Sequence, residues 1–167
     1  MYDFEELDET TRKWMLEEFR QEERGGNPYR SPRLSSIGLS VFPKEMEKAI
    51  REGNEETLAR ALSNPAYWQS SETVERGFKT HIRQINPVKA AEFLAYTEFN
   101  TWYVRGLARR LIEEGEEHCQ VYRAAPAWQP RGECLKHEGQ IYRVRDIYNG
   151  HRARYWPRPG NASALSI

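Results

Sequence analysis

Several arginines and one tryptophan near the end of the chain give the clearest chemical signal in the sequence. If HRARYW, residues 151–156, is a strand, its side chains alternate, and two arginines and the tryptophan share one face. Arginine can hold a phosphate through two hydrogen bonds and an aromatic ring can stack on a base, so this face suits nucleic acid. The same pattern is typical of the solvated face of an ordinary strand. The predicted contact residues are Arg143, Arg145, Arg152, Arg154 and Trp156.

Cysteines and histidines in the same part of the chain are candidate zinc ligands. Cys134 and His137 stand in a C-x-x-H arrangement, and zinc needs four such ligands at about 2.0–2.3 Å. Adjacent His118 and Cys119 would point to opposite faces of a strand, which weakens the zinc hypothesis. We therefore expect no cofactor, and zinc remains the open alternative. The candidate ligands are Cys119, Cys134, His137 and His151.

Two charged residues in the most apolar part of the chain are the remaining candidates for catalysis. Glu98 and Arg105 lie among aromatic residues in AYTEFNTWYVRGLARR, where an unpaired charge would be costly. A carboxyl group lining a pocket there could act as a general acid or base. An ion pair at the helix surface, between Glu98 and Arg105 or another arginine, is the favoured interpretation. Because the sequence contains no H-E-x-x-H motif and no glycine-rich phosphate loop, we expect a protein without catalytic activity.

Charge is distributed unevenly along a chain whose formal net charge is zero. Residues 1–56 hold 14 acidic and 9 basic residues, residues 57–117 hold 8 of each, and residues 118–167 hold 3 acidic and 8 basic. The local charges are therefore about −5, 0 and +5. Such an asymmetry favours association of successive copies or attraction of a polyanion, unless the two ends of the chain pack together and neutralise each other.

Length and composition predict a globular protein without a membrane partner. The 167 residues are 38% hydrophobic and 30% charged, and they suit one domain spanning 1–167. No apolar run approaches the roughly eighteen residues of a membrane span, and the start MYDFEELDE does not resemble a signal peptide. The two cysteines are too few for a disulfide framework. We expect the protein in the cytoplasm or in a virion.

Residues 1–115 are predicted to be mainly helical. Asp8 begins a helix that ends at Gly25, Pro43 begins a second helix that ends at Gly53, and Asn54 caps a third. A small hairpin is predicted around an Arg76-Gly77 turn, where apolar and polar residues alternate. The strongest element is a helix from about Pro87 to Glu114, with apolar residues over more than half of its circumference, which is typical of a central core helix.

Residues 116–167 are predicted to form a β-meander. HCQVYRA alternates as a strand does. QPRGECLKHEGQIYRV is predicted to form two strands joined at His137-Glu138-Gly139. RDIYNGHRARYW is predicted to form a hairpin closed by Asn149-Gly150. The predicted fold class is therefore α+β, with the long helix of residues 87–114 packed on a small antiparallel C-terminal β-meander.

Four segments together resemble a set of uncharacterised bacterial proteins associated with prophages and mobile elements. They are MYDFEELDETTRKWMLEEF, REGNEETLARAL, AEFLAYTEFNTWYVRGLARR and QVYRA, and the resemblance extends over most of the chain. It implies a role in virion assembly or host interaction and implies no reaction. We therefore expect a non-catalytic interaction protein that binds protein partners or further copies of itself. The alternative is a protein that binds or processes nucleic acid through the same C-terminal ribbon, with zinc as a possible cofactor.

Overall fold

The computed structural model describes residues 2–26, 28–77, 79–124, 132–152 and 165–167 of the chain. The helices are α1 (Glu9–Arg24), α2 (Ser36–Glu52), α3 (Glu55–Leu62), α4 (Pro87–Glu114), α5 (Gly132–His137) and α6 (Val144–Arg152). The strands are β1 (Ser71–Arg76), β2 (Lys79–Gln84), β3 (His118–Gln120), β4 (Tyr122–Arg123), β5 (Ile141–Arg143) and β6 (Leu165–Ser166). The predicted α+β class is confirmed.

Helix α4 is the central element, and the sequence marks both of its ends. The Asn86 side chain accepts a hydrogen bond from the Lys89 N–H (3.1 Å), and Pro87 follows Asn86 as the first helical residue. Gly115 ends the helix in the left-handed conformation, with φ of +86°, which glycine adopts without strain. Helices α1, α3 and α6 all pack on α4. The prediction of a long core helix over residues 87–114 is therefore confirmed.

Helices α1 and α3 have the bounds that their caps predict. The Asp8 side chain accepts a hydrogen bond from the Thr11 N–H (2.8 Å), and α1 ends before Gly25. Asn54 and Thr57 form a reciprocal capping box at the start of α3, each side chain bonding to the other's backbone. Both helices direct their buried faces toward α4.

Helix α2 begins earlier than predicted. Its start was predicted at Pro43, but the helix begins at Ser36 and is capped by the Ser35 side chain, so Pro43 lies inside it. A proline at this point removes one backbone hydrogen bond of the helix. The buried face that carries Phe42 and Ile50 outweighs this loss, because burial of large apolar side chains stabilises the helix more than one hydrogen bond does.

The predicted hairpin of β1 and β2 is confirmed. Ser71 pairs with Gln84 and Arg76 with Lys79, and Gly77 supplies a residue of positive φ in the turn. Every residue of β2 is exposed to solvent. The two strands form a two-stranded sheet without a further strand among the described residues.

The C-terminal part contains antiparallel strand pairs, but two details of the predicted meander are wrong. Strand β3 pairs with β5, and β4 pairs with β6. The predicted hairpin at Asn149-Gly150 is instead part of α6, because Val144, Ile147 and Tyr148 have helical spacing and are buried, and α6 packs on α4. Cys134, predicted on a strand, lies in the short helix α5.

The first residues join the N-terminal and C-terminal parts across α4. The rings of Tyr2 and Phe4 are stacked with centroids 5.4 Å apart, and Phe4 packs on Tyr103 of α4 at 4.6 Å. The Asp3 N–H donates a hydrogen bond to the Ala124 carbonyl at 2.8 Å. The segment therefore closes one side of the core with aromatic rings.

These aromatic contacts predict that the protein loses stability in alkali. Burial, with a smaller effect of Glu55, raises the pKa of Tyr2 to about 12, and burial also raises the pKa of Tyr103. The unfolded chain releases these protons near pH 10. The stabilisation is therefore complete below pH 10 and is lost as the pH rises through 12, by about 2 kcal/mol for Tyr2 alone. Urea midpoints at pH 9, 10.5 and 11.5 measure the loss, and equal midpoints would contradict the prediction.

Among the described helices, none combines the length and the apolar character that a membrane crossing requires.

Candidate functional site

A continuous cleft runs along one face of α4, between the loop of residues 28–33 and the base of the β1–β2 hairpin. It consists of an outer part of about 320 Å³ and an inner part of about 610 Å³. The two parts share four lining residues, so they form one groove, which we call the α4 cleft. The shared residues are Arg33, Glu72, Ala90 and Phe93.

The floor of the α4 cleft follows from the helical period. Ala90, Phe93, Leu94 and Thr97 are spaced by three or four residues, so their side chains lie on one face of α4. The Thr97 hydroxyl donates a hydrogen bond to the Phe93 carbonyl (2.7 Å) and so adds little polarity to the groove. Phe93 is 38% exposed, which is high for a phenylalanine on the central core helix. The floor therefore presents an accessible apolar surface.

The loop wall of the cleft is held in place by hydrogen bonds and ion pairs to α1. Arg30 pairs with Glu23 at 2.6 Å, and the Tyr29 N–H donates to the Glu22 carboxylate at 3.4 Å. Ser31, which lines the inner part, is buried. Since the loop is bound at both its start and its middle, the cleft is preformed on this side.

A three-residue ionic cluster joins the loop wall to the hairpin wall. The Glu72 carboxylate on β1 accepts hydrogen bonds from the Arg33 Nε at 2.6 Å and from the Arg83 Nε at 2.9 Å. Hydrogen bonds from Arg83 and then Arg33 lower the pKa of Glu72 below its ordinary value. Lys89 adds a third cation to the rim and forms no ion pair with any other described residue. Three cations therefore face one carboxylate along the rim.

Of the two residues predicted as catalytic candidates, only Glu98 lines the cleft. Glu98 is 1% exposed and lies at the inner end. The Arg105 guanidinium lies over the Trp102 ring, 4.6 Å from its centroid, and pairs with Glu22 of α1 at 2.6 Å. The favoured interpretation was a surface ion pair of Glu98 with Arg105 or another arginine, but the ion pair of Arg105 is with Glu22 and is mostly buried, with Arg105 3% and Glu22 15% exposed. The geometry gives Arg105 a role in joining α1 to α4.

Two of the predicted contact arginines line a second groove, of about 460 Å³, near the end of α4. Arg143 lies opposite His118 in the β3–β5 pair, and Arg145 follows at the start of α6. Both arginines are exposed, and neither forms an ion pair with another described residue. Glu116 and Glu117 line the same groove. The charges of the two arginines and the two glutamates therefore balance, which reduces the attraction of this groove for a polyanion.

Of the other three predicted contact residues, Arg152 alone lies in the described part of the chain. Arg152 ends helix α6, so its predicted place on a strand is wrong, while Arg154 and Trp156 lie outside the described residues. The predicted face of Arg152, Arg154 and Trp156 therefore stays a prediction.

The predicted zinc ligands lie on separate elements. Cys119 is on β3, Cys134 and His137 are on α5, and His151 is in α6 with a side chain outside the described part of the chain. The described residues contain no group of three or more potential ligands placed to hold one metal ion. Burial raises the pKa of the Cys119 thiol to about 11, which disfavours the thiolate that zinc binds.

Apart from Glu98, the residues that form the α4 cleft were not singled out from the sequence. Phe93 and Lys89 belong to a helix that was predicted correctly, and a phenylalanine beside charged residues at helical spacing was the available signal. The contact between Arg33 and Glu72 joins residues 39 positions apart, and no local pattern indicates it.

No family model matches the chain, and comparisons with curated proteins and with solved structures found no match.

Proposed function

We propose that this chain is a non-catalytic interaction protein that binds a segment of a partner protein in the α4 cleft. The observation that supports this most directly is the exposed ring of Phe93 on the floor of a preformed groove. A groove with an apolar floor and charged walls is a common way to bind a peptide segment, since the floor supplies affinity and the rim supplies selectivity. The sequence resemblance to prophage-associated proteins favours a partner in virion assembly or in the host.

The charge of the rim indicates the chemistry of the partner segment. Arg33, Arg83 and Lys89 carry three positive charges, and Glu72 is already held between two of them. The rim is therefore complementary to a segment with several carboxylates. The apolar floor requires at least one large apolar side chain in the same segment. The proposed ligand is an acidic peptide segment with an aromatic or aliphatic residue at its centre.

Peptide titration with a floor variant tests this proposal. We expect a fluorescently labelled peptide with one central phenylalanine among glutamates to bind the wild-type protein in the micromolar range. Phe93→Asp should weaken binding about tenfold or more, because it removes the apolar contact and adds a negative charge facing the ligand. Affinity should also fall as salt is added, because the rim charges are exposed.

A matched variant on the same helix serves as the control. Val88 is 53% exposed and does not line the cleft, so Val88→Asp adds the same charge outside the site. It should leave peptide affinity nearly unchanged. Equal affinities of Phe93→Asp and Val88→Asp, or equal binding of a peptide with lysines in place of glutamates, would overturn the proposal. Thermal unfolding of each variant shows whether the fold is retained.

Nucleic-acid binding is the competing proposal, and the free side chains of Arg143 and Arg145 favour it. This proposal requires that an oligonucleotide binds and that its affinity falls with added salt. The double variant Arg143→Ala with Arg145→Ala would then weaken oligonucleotide binding and leave the affinity for the acidic peptide unchanged. Because Glu116 and Glu117 balance the charge of that groove, we expect single-stranded and duplex oligonucleotides to bind weakly compared with the acidic peptide.

A further inference from the structure

The outer edge of strand β2 is the most exposed apolar feature of the described chain. Ile82 is 78% exposed, and all six residues of β2 are open to solvent. A two-stranded hairpin is marginally stable alone in water, and at least three strands or a packed helix are normally needed to stabilise one. Edge strands are usually protected by proline, bulges, charged side chains or a covering element, and among the described residues β2 has only the charges of Lys79 and Arg83.

We propose that two copies of this chain associate by pairing their β2 strands in an antiparallel, two-fold arrangement centred on Ile82. The two hairpins then form one four-stranded sheet. Each copy thereby gives the other the strand that its own hairpin lacks.

The hydrogen-bonding pattern of the hairpin determines which residues face the free edge. The Ile85 N–H donates to the Ser70 carbonyl (3.0 Å), so this opposed pair is a hydrogen-bonded one. Hydrogen-bonded and non-bonded pairs alternate along an antiparallel ladder. The backbone N–H and C=O groups that point outward from β2 are therefore those of Thr80, Ile82 and Gln84. They can pair with the same groups of a second copy.

Side-chain charge selects the register. When a two-fold axis perpendicular to the sheet relates the two strands, one residue of each strand lies at the axis. That residue faces the same residue of the second copy. With His81 on the axis, Lys79 lies opposite Arg83 of the second copy, and this repulsion occurs twice. With Ile82 on the axis, the two isoleucines face each other and Thr80 lies opposite Gln84. In the second register His81 lies opposite Arg83 of the second copy, so with neutral histidine no two like charges are opposed, and the most exposed apolar side chain contacts its own copy.

The same register places a new charge at the α4 cleft. Lys79 of the second copy lies opposite Ile85, which lines the outer part of the cleft. Each copy would therefore extend the cationic rim of the other. This consequence rests on the proposed binding of an acidic segment, whereas the pairing of the strands does not.

Sedimentation equilibrium over a range of protein concentrations tests the association. We expect a concentration-dependent dimer that Ile82→Asp weakens at least about tenfold, since it places two carboxylates opposite each other on the two-fold axis. Thr73→Asp is the matched control, because Thr73 is the cross-strand partner of Ile82 on the inner strand. A monomer at the highest concentration, or equal effects of the two variants, would overturn the proposal.

Cysteine cross-linking tests the register. Opposed residues of a hydrogen-bonded pair have Cα atoms about 5.5 Å apart, within the range that a disulfide can bridge. Ile82→Cys should give a covalent dimer under mild oxidation in a Cys119→Ala and Cys134→Ala background. His81→Cys should not give a covalent dimer, because in this register residue 81 of one copy lies opposite Arg83 of the other copy, two residues away from its own counterpart. Cross-linking through His81→Cys instead would overturn the register.

Peptide titration of the Ile82→Asp variant separates the two proposals. If the cleft binds the acidic peptide in each copy, the monomeric variant still binds it, with lower affinity because Lys79 of the second copy is lost. A protein that forms the dimer but does not bind the peptide would overturn the proposed function alone. A monomeric wild-type protein that binds the peptide would overturn the dimer alone.

Discussion

Replacing Gly106 with alanine should lower the free energy of unfolding by about 2 kcal/mol. A Cβ atom at this position would lie 2.6 Å from the Met15 backbone nitrogen and 2.7 Å from its Cα atom. These are backbone atoms of α1, so a side-chain rotation cannot relieve the contact, and the two helices must separate. Overpacking of this kind costs about 3 kcal/mol at the upper end of its usual range, and the better helix propensity of alanine offsets about 1 kcal/mol of it.

Gly150→Ala is the matched control for this substitution. Gly150 also lies in a helix, but no atom of the described residues lies within 4 Å of a Cβ atom added there. Alanine should therefore stabilise the protein by about 0.5–1 kcal/mol through helix propensity alone. Urea denaturation of the wild type and both variants measures the two effects, which have opposite signs. A Gly106→Ala protein as stable as the wild type would mean that α1 does not pack on α4 at this glycine.

The elements that could be predicted from the sequence are those whose signals are local and agree with their packing. Helix α4 has a cap at Asn86, a stop at Gly115 and apolar residues throughout, and its predicted bounds are the observed ones. The prediction of a hairpin at Asn149-Gly150 was wrong, because these two residues favour a turn but lie in a segment whose apolar residues, Val144 and Ile147, have helical spacing. The helix forms because burial of these apolar side chains against α4 outweighs the local preference for a turn. The two turn residues alone do not indicate this packing.

The candidate site was only partly accessible to sequence reasoning. The burial of Glu98 follows from its aromatic neighbours in the chain. Whether positive charge collects on the surface of the C-terminal part could not be predicted from the sequence, because ion pairing depends on which segments of the chain meet in the fold. Arg123 pairs with Glu138 inside the C-terminal part, and Arg143 shares its groove with Glu116 and Glu117, which follow α4. Charge counted along the chain therefore does not give charge on the surface.

Replacing Arg105 with methionine should destabilise the protein by about 3 kcal/mol. Methionine keeps much of the side-chain volume, so the loss comes mainly from leaving the mostly buried Glu22 carboxylate without its cation, with the Tyr29 N–H as a remaining hydrogen-bond donor. The contact of the guanidinium with the Trp102 ring is lost as well. Breaking one partner of a buried ion pair costs more than the pair contributes, because the remaining charge is desolvated and unpaired. Urea denaturation at neutral pH measures the effect.

Arg109→Met is the matched control, one turn further along the same helix. Arg109 also forms an ion pair, with Glu113, and also lies over a tryptophan, Trp14 at 5.5 Å. Its side chain is 36% exposed and that of Glu113 46%, so water screens the pair and the loss should be about 1 kcal/mol or less. Adding Glu22→Gln to Arg105→Met removes the unpaired charge and should regain part of the lost stability. Equal losses at the two arginines, or no gain in the double variant, would show that Arg105 is not held by a buried charge pair. The two arginines share their helix, their type of partner and their aromatic contact, so the contrast follows from the greater burial of the Arg105 pair and from its joining two helices, whereas the Arg109 pair lies within one.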